Sequence, residues 1–316
     1  MTDLPHWSTP GKWSVNNKLD LVRSHSPVIA YKDLVYVFGG GSYEFASMDS
    51  VVAYDPATNS WRECAPMPRK RSGTVAFLHD DKIYLIGGGF KQENGQFRFL
   101  EDVDIYYPDR DVWETGPSMT QPHDYPAGAY LDGYYYVLGG HHPDATKGGP
   151  KTDPGFDYCE RLNIATGEWE VIAPLPTPRF ALAGAVVDGK IWAMGGVAFR
   201  PEGFDNFTVI EVFDPATGVW TEEPDLALPW QAAGLGAFMY NDELYIFGGY
   251  SGDGIHERVA KMTMNDRQWH LLASMPEPLA AMGIDELDGK LYLAGGWADD
   301  ARVPQNSFFI LDPAAK

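Results

Sequence analysis
Apolar positions along this chain fall in short runs of strand length, each cut off by glycine, proline or aspartate. Gly73 to Leu78 is small and apolar, Asp80-Asp81 marks a turn, and Lys82 to Ile86 is a second apolar run. Asp102 to Tyr107 alternates polar and apolar positions with the period of two that places one side of a strand on a core. Pro108-Asp109-Arg110-Asp111 then turns the chain, and Val112-Trp113-Glu114 opens a fourth strand that stops at Gly116-Pro117. Four short strands joined by such turns predict an antiparallel meander. No long stretch carries a 3.6-residue period, so the expected class is all-β.

The same unit returns. A Gly-Gly pair occurs at 39–40, 87–88, 139–140, 195–196, 248–249 and 295–296. Three positions before each pair stands an aromatic: Tyr36, Tyr84, Tyr136, Trp192, Tyr245 and Tyr292. A tryptophan follows each of the first five pairs: Trp61, Trp113, Trp169, Trp220 and Trp269. A sharp exit from a packed inner strand leaves no room for a Cβ, which accounts for the glycines. The aromatics supply the large apolar area that packs one sheet on the next.

These units resemble the kelch repeat, each repeat forming one blade of a β-propeller. The resemblance is carried by Tyr54-Asp55-Pro56-Ala57-Thr58-Asn59-Ser60-Trp61, Phe213-Asp214-Pro215-Ala216-Thr217-Gly218-Val219-Trp220 and Gly189-Lys190-Ile191-Trp192-Ala193-Met194-Gly195-Gly196, and it spans about residues 13 to 313. Leu162-Asn163-Ile164 and Met264-Asn265-Asp266 replace the aromatic-Asp-Pro turn in the third and fifth units. The sixth unit reaches Leu311-Asp312-Pro313 without its tryptophan, and Gly11-Lys12-Trp13-Ser14-Val15 is the missing piece. The expectation is a six-bladed propeller forming one domain over 1–316. Its blades are 23–68, 69–119, 120–176, 177–226, 227–276 and 277–313, the last closed by the strand from 11–18. Closure removes the edges that an open array would expose.

Charge narrows the partners. The 316 residues carry 24 Lys plus Arg against 44 Asp plus Glu, a formal net charge of −20, which repels phosphate backbones and anionic lipid. Neither nucleic acid nor a membrane is an expected partner. No apolar run approaches the 18 or so residues of a spanning helix, and Met1 to Trp7 has no secretory pattern. Cys64 and Cys159 are too few for a disulfide framework, and Asn206-Phe207-Thr208 is one isolated sequon. A cytoplasmic protein is expected.

Kelch topology, as the resemblance implies it, puts two loop sets on one side of the disc: segments leading into each first strand, and loops following each Gly-Gly pair. The first set holds Arg23, His25, Arg71, His123, Asp124, Tyr125, Arg179, Phe180 and Trp230. The second holds Glu44, Phe90, His141, His142, Phe199, Tyr250 and Trp297. Arg23, Arg71 and Arg179 take equivalent places, so symmetry aims them at one axis, where they would bind an anionic or polar small molecule. Trp230, Trp297, Tyr250, Phe90 and Phe199 would complete that substrate surface. His123, His141, Tyr125 and Glu44 are the candidate acid–base residues, and His25, His123, His141 and His142 a candidate set for a divalent metal. Longer inserts at Gln92–Gln96, 141–157 and 199–207 are candidate walls or lids over the mouth. No cofactor is required by any motif, since the Gly-Gly-Gly runs open no helix and no Gly-x-Ser-x-Gly, His-Glu-x-x-His or Cys-x-x-Cys is present.

In layout the chain is similar to the bacterial sialic acid mutarotases, which are stand-alone six-bladed kelch propellers. Plant specifier proteins hold iron with Glu-x-x-x-Asp-x-x-x-His, and no Glu here has Asp four residues later. Galactose oxidase needs a tyrosine–cysteine link, which the positions of Cys64 and Cys159 do not offer. Two readings result: a redox-neutral enzyme of isomerase or lyase type at the channel mouth, or an interaction module gripping an acidic peptide with the same arginines and aromatics. On either reading Arg71 and Arg179 belong to the ligand, and their joint replacement by Ala should abolish binding while leaving the propeller folded.

Overall fold
The computed structural model describes residues 11–15, 17–147, 153–201, 203–223, 225–299 and 302–315. The tail carrying Trp7 and the part of the third insert over 148–152 lie outside that set. Six four-stranded antiparallel sheets are arranged in chain order as blades. In blade 2, Val75–His79 pairs with Lys82–Ile86, then Val103–Tyr107, then Val112–Thr115. In blade 6 the outer strand is Lys12–Val15, whose Trp13 stands opposite Leu311 and Lys12 opposite Asp312. The seam expected from the incomplete sixth unit is therefore where the structure closes. Among the described residues the helices are short 3₁₀ turns at Tyr43–Phe45 and Pro143–Lys147, and none is long and apolar enough to cross a membrane.

The cores lie between blades. Between blades 4 and 5, Trp192, Met194 and Val212 meet Ile246, Met262 and Trp269, all buried. The repeated tryptophans do more than fill space. Trp113 donates its indole N–H to Ala65 O, at the end of the preceding blade (3.0 Å), and Trp169, Trp220 and Trp269 do the same to Pro117, Ala173 and Ala227. Trp61 reaches Asn17 O and Trp13 reaches Ala273 O, so the series runs through the seam. One polar edge on a large apolar body thus ties every outer strand to its neighbour.

A second ring surrounds the axis. His25, Gly73, Tyr125, Ala181, Gly234 and Ala281 hold equivalent places just before the six inner strands, all left-handed with φ between 50° and 65°. Each donates its backbone N–H to the carbonyl of the ring residue in the preceding blade, and His25 closes the circle onto Ala281 (2.7–3.2 Å). Because every ring donor is also an acceptor, no backbone group is orphaned where the blades converge. Gly73 is needed twice over: its φ is +64°, and a Cβ there would lie 2.5 Å from the Tyr125 ring.

Candidate functional site
Two residues before the ring position in blades 1 to 4, and four before it in blade 5, the chain carries groups expected to face a ligand. They turn inward instead. Arg23, Arg71, His123 and Trp230 each give a side-chain N–H to the carbonyl of the first glycine of their own pair, Gly39, Gly87, Gly139 and Gly248. Arg179 bonds Ala193 O, two residues before its pair. The acid needed to balance a buried base comes from the third strand of the same blade. Arg71 pairs with Asp104, Arg179 with Glu211 (2.6 Å), and His123 Nε2 lies 3.3 Å from Glu160. Asp104, Glu160 and Glu211 occupy one repeated position, opposite the residue two before the first glycine. In blades 5 and 6 that place is Ala260 or Phe309, and the partner positions are Ala232 and Leu279, with Trp230 two residues before Ala232.

The expectation of three arginines converging on the axis is therefore corrected. Arg23, Arg71 and Arg179 are 0–1% exposed and line neither of the two cavities at the ring. Arg23, whose acceptors among the described residues are Gly39 O and Ser50 Oγ, has its pKa lowered to about 10 by burial. His123 and Trp230 leave the candidate set for the same reason.

The cavity itself sits on the ring, beneath the post-glycine loops, and measures about 490 Å³. Of the residues singled out from the sequence it gathers His25, Tyr125, His141, Phe199, Tyr250 and Trp297, together with Asp124 and Phe180. His25 and Tyr125 are the ring members with large side chains, 4.2 Å apart edge to face. Together with Ala181 they line both this cavity and a smaller one of about 250 Å³ in the channel below, and so form the partition between them. Glu44 is exposed at an adjoining recess of about 230 Å³. Phe90 faces away, against Arg69 and Lys70 at the outer rim. In its hairpin, Gly89–Lys91 with Phe97–Phe99, alternation sends Phe97 and Phe99 to the cavity instead.

Two further lining groups acquire roles that the sequence had not assigned. His141 Nδ1 makes a short contact with Asp153 Oδ2, and the other carboxylate oxygen accepts from the N–H groups of His142 (3.1 Å) and Gly155 (3.0 Å). Burial pushes the Asp153 carboxyl up, but the His141 bond and those amides outweigh it and hold the pKa below its usual range. The imidazole is stacked on Phe180 at 3.9 Å and faces Phe99 at 5.7 Å. Its Nε2 has no partner among the described residues. Asp124 is the opposite case. It is 3% exposed, and its Oδ1 has no hydrogen-bond partner. Burial first, then the charge of Asp153, raise its pKa well above the usual value. Burial, then the charges of His141 and Arg302, push the pKa of His25 well below its ordinary value.

As a metal set the four histidines fail. His123 is inside blade 3, and His142 turns out toward Asp144 and Phe156. No group of three or more potential ligands occurs among the described residues.

A six-bladed disc with Gly-Gly turns defines the class, and comparison with known proteins gives the family. The profile described as the KLHDC2/KLHL20/DRC7 Kelch-repeats domain matches residues 6–196, and the Kelch motif matches 178–227. The chain belongs to the kelch-repeat family. It is 29% identical to the Kelch-like protein terF of Aspergillus terreus over 317 residues, covering 95% of this chain and 56% of that protein. Beta-scruin of Limulus polyphemus is 28% identical over 248 residues, covering 75% of this chain and 26% of that one. The chain thus spans about half of one relative and about a quarter of the other. Among solved structures, that of YjhT superposes with a TM-score of 0.77 at 16% identity, covering 94% of this chain and 97% of the other. At that identity the similarity shows the fold alone.

Proposed function
We propose that this propeller binds a small molecule in the cavity above its central ring and carries out redox-neutral proton transfer there, as an isomerase or lyase. The observation that carries the proposal is the pair of opposed titratable groups in one walled, largely aromatic cavity. His141, oriented by Asp153 through Nδ1, presents Nε2 as a proton acceptor. Asp124, buried with its Oδ1 unpartnered and its pKa raised, is the group to give a proton to an oxygen where negative charge develops. One proton is taken and one is given, so the exchange balances without an oxidant. A volume of about 490 Å³ suits a ligand of metabolite size. The similarity in layout to the bacterial mutarotases supports the same direction. The cytoplasm is the compartment we propose, on the strength of two free cysteines, one of them buried. The acidic-peptide reading drew on the same aromatics and on Arg23, Arg71 and Arg179, and those arginine side chains are engaged inside the blades.

Native mass spectrometry of untagged protein from its own source tests the proposal. A one-to-one organic adduct that survives in His141→Gln supports it, with turnover of the released compound falling about 10²- to 10⁴-fold in that variant. A stoichiometric protein companion with no small adduct overturns it in favour of an interaction module.

A further inference from the structure
Arg302 belongs to the loop between Gly296 and Ser307 of blade 6, at a left-handed φ of 56°. Its guanidinium carbon lies 5.6 Å from the Trp297 ring centre and 5.7 Å from that of Tyr250. It borders the main cavity, the recess beside Glu44 and a third hollow of about 440 Å³ near Asn206 and Asp253, and so stands where all three meet. Lys91, the other Lys or Arg side chain lining the main cavity, donates to Glu44 O. Among the described residues no carboxylate or carbonyl accepts from the Arg302 guanidinium, although its charge is felt by the rings around it. It opposes the burial that raises the Tyr125 and Tyr250 phenols, and Tyr250 is nevertheless pushed up to about 12.

Resting on the cavity reading above, we propose that the ligand is a flat conjugated ring bearing one carboxylate, with the carboxylate on Arg302 and the ring against Trp297, Tyr250 and Phe199. A planar guanidinium held between two aromatic faces presents its N–H fork in one plane, matching a carboxylate. One cation left without an acceptor on the wall of the cavity neutralises a monoanion and leaves a phosphate dianion half-compensated. The facing walls are rings, which take a planar body with the least loss of contact.

Isothermal titration with naphthalene-2-carboxylate and naphthalene-2-carboxamide separates the parts. The acid should bind about tenfold or more tighter than the amide, as a charge-assisted bond requires. Arg302→Met should bring the acid down to the level of the amide and leave the amide unchanged, and Arg302→Lys should restore part of the difference. His141→Gln should leave the acid-to-amide ratio intact. Equal affinities in the unaltered protein, or a preference that survives Arg302→Met, overturns the carboxylate subsite while the cavity reading stands. Binding of neither compound overturns the ring-carboxylate class, and the adduct experiment then decides the cavity reading separately.

Discussion

Two positions a few residues apart in the repeat have opposite fates. At the first, Arg23, Arg71, His123 and Arg179, and in blade 5 Trp230 from two residues earlier, each give a donor to a carbonyl at or just before the glycine pair. At the second, the backbone ring is the same in all six blades, yet four side chains are glycine or alanine and two are His25 and Tyr125. The first position keeps the repeat's rule and builds the blade. The second breaks it in blades 1 and 3, and the cavity forms where it is broken. Polarity alone is thus a poor guide to function in a repeat protein; departure from symmetry is the better one.

The comparison is broken most severely at Arg179. Arg179→Leu strands Glu211 in the blade interior and should cost about 3–5 kcal/mol, read as a large fall in denaturation midpoint. Unchanged stability would return Arg179 to the list of ligand groups. This reverses the expectation that an Arg71/Arg179 double replacement would spare the fold. Gly73→Ala comes next. It forces a side chain into a left-handed site and against the Tyr125 ring, for about 1–3 kcal/mol and a displaced cavity floor. Ring-current shifts of Tyr125 in the NMR spectrum would report the displacement, and an undisturbed Tyr125 would refute the packing argument.

The finest test is by pH. Unfolded Asp124 releases its proton near its ordinary value of about 3.9, whereas in the fold burial and the charge of Asp153 keep it bound. The folded state then holds the extra proton, so its contribution to stability is lost as pH climbs from about 4 toward the folded value. Asp124→Asn should flatten that part of a urea-midpoint profile, and an identical profile would remove Asp124 from its role as proton donor. His25 has the contrary sign. Its folded pKa lies well below 6.5, so its contribution is complete above 6.5 and drains away as pH falls.

Much of the architecture was readable because it is written in spacing: Gly-Gly, the aromatic before it and the tryptophan after it set the blades and even the seam at Trp13. The cavity was half readable. His25, Tyr125, His141, Tyr250, Phe199 and Trp297 were placed on the correct side of the disc and do meet. The arginines misled because a side chain near an axis reads the same whether it points at the axis or back into its blade. A corrective signal was present. Asp104, Glu160 and Glu211 place an acid at one repeated third-strand position in the three blades whose lead-in residues are Arg71, His123 and Arg179, while Ala260 and Phe309 accompany Ala232 and Leu279. Phe90 failed for lack of a register, which only the hairpin pairing supplies. Asp153 and Arg302 sit in irregular loops, where sequence spacing carries no geometry.

The circle of six backbone bonds also bears on how such a protein can change. A floor whose every unit is held by both neighbours resists piecemeal adjustment, so an alteration at one ring residue is shared by all. The hairpins and loops above it answer to no such constraint. New ligands are therefore expected to be reached by rewriting the walls around Phe97, Phe199 and Arg302 while the floor is inherited unchanged, dividing the molecule into a conservative base and a variable rim.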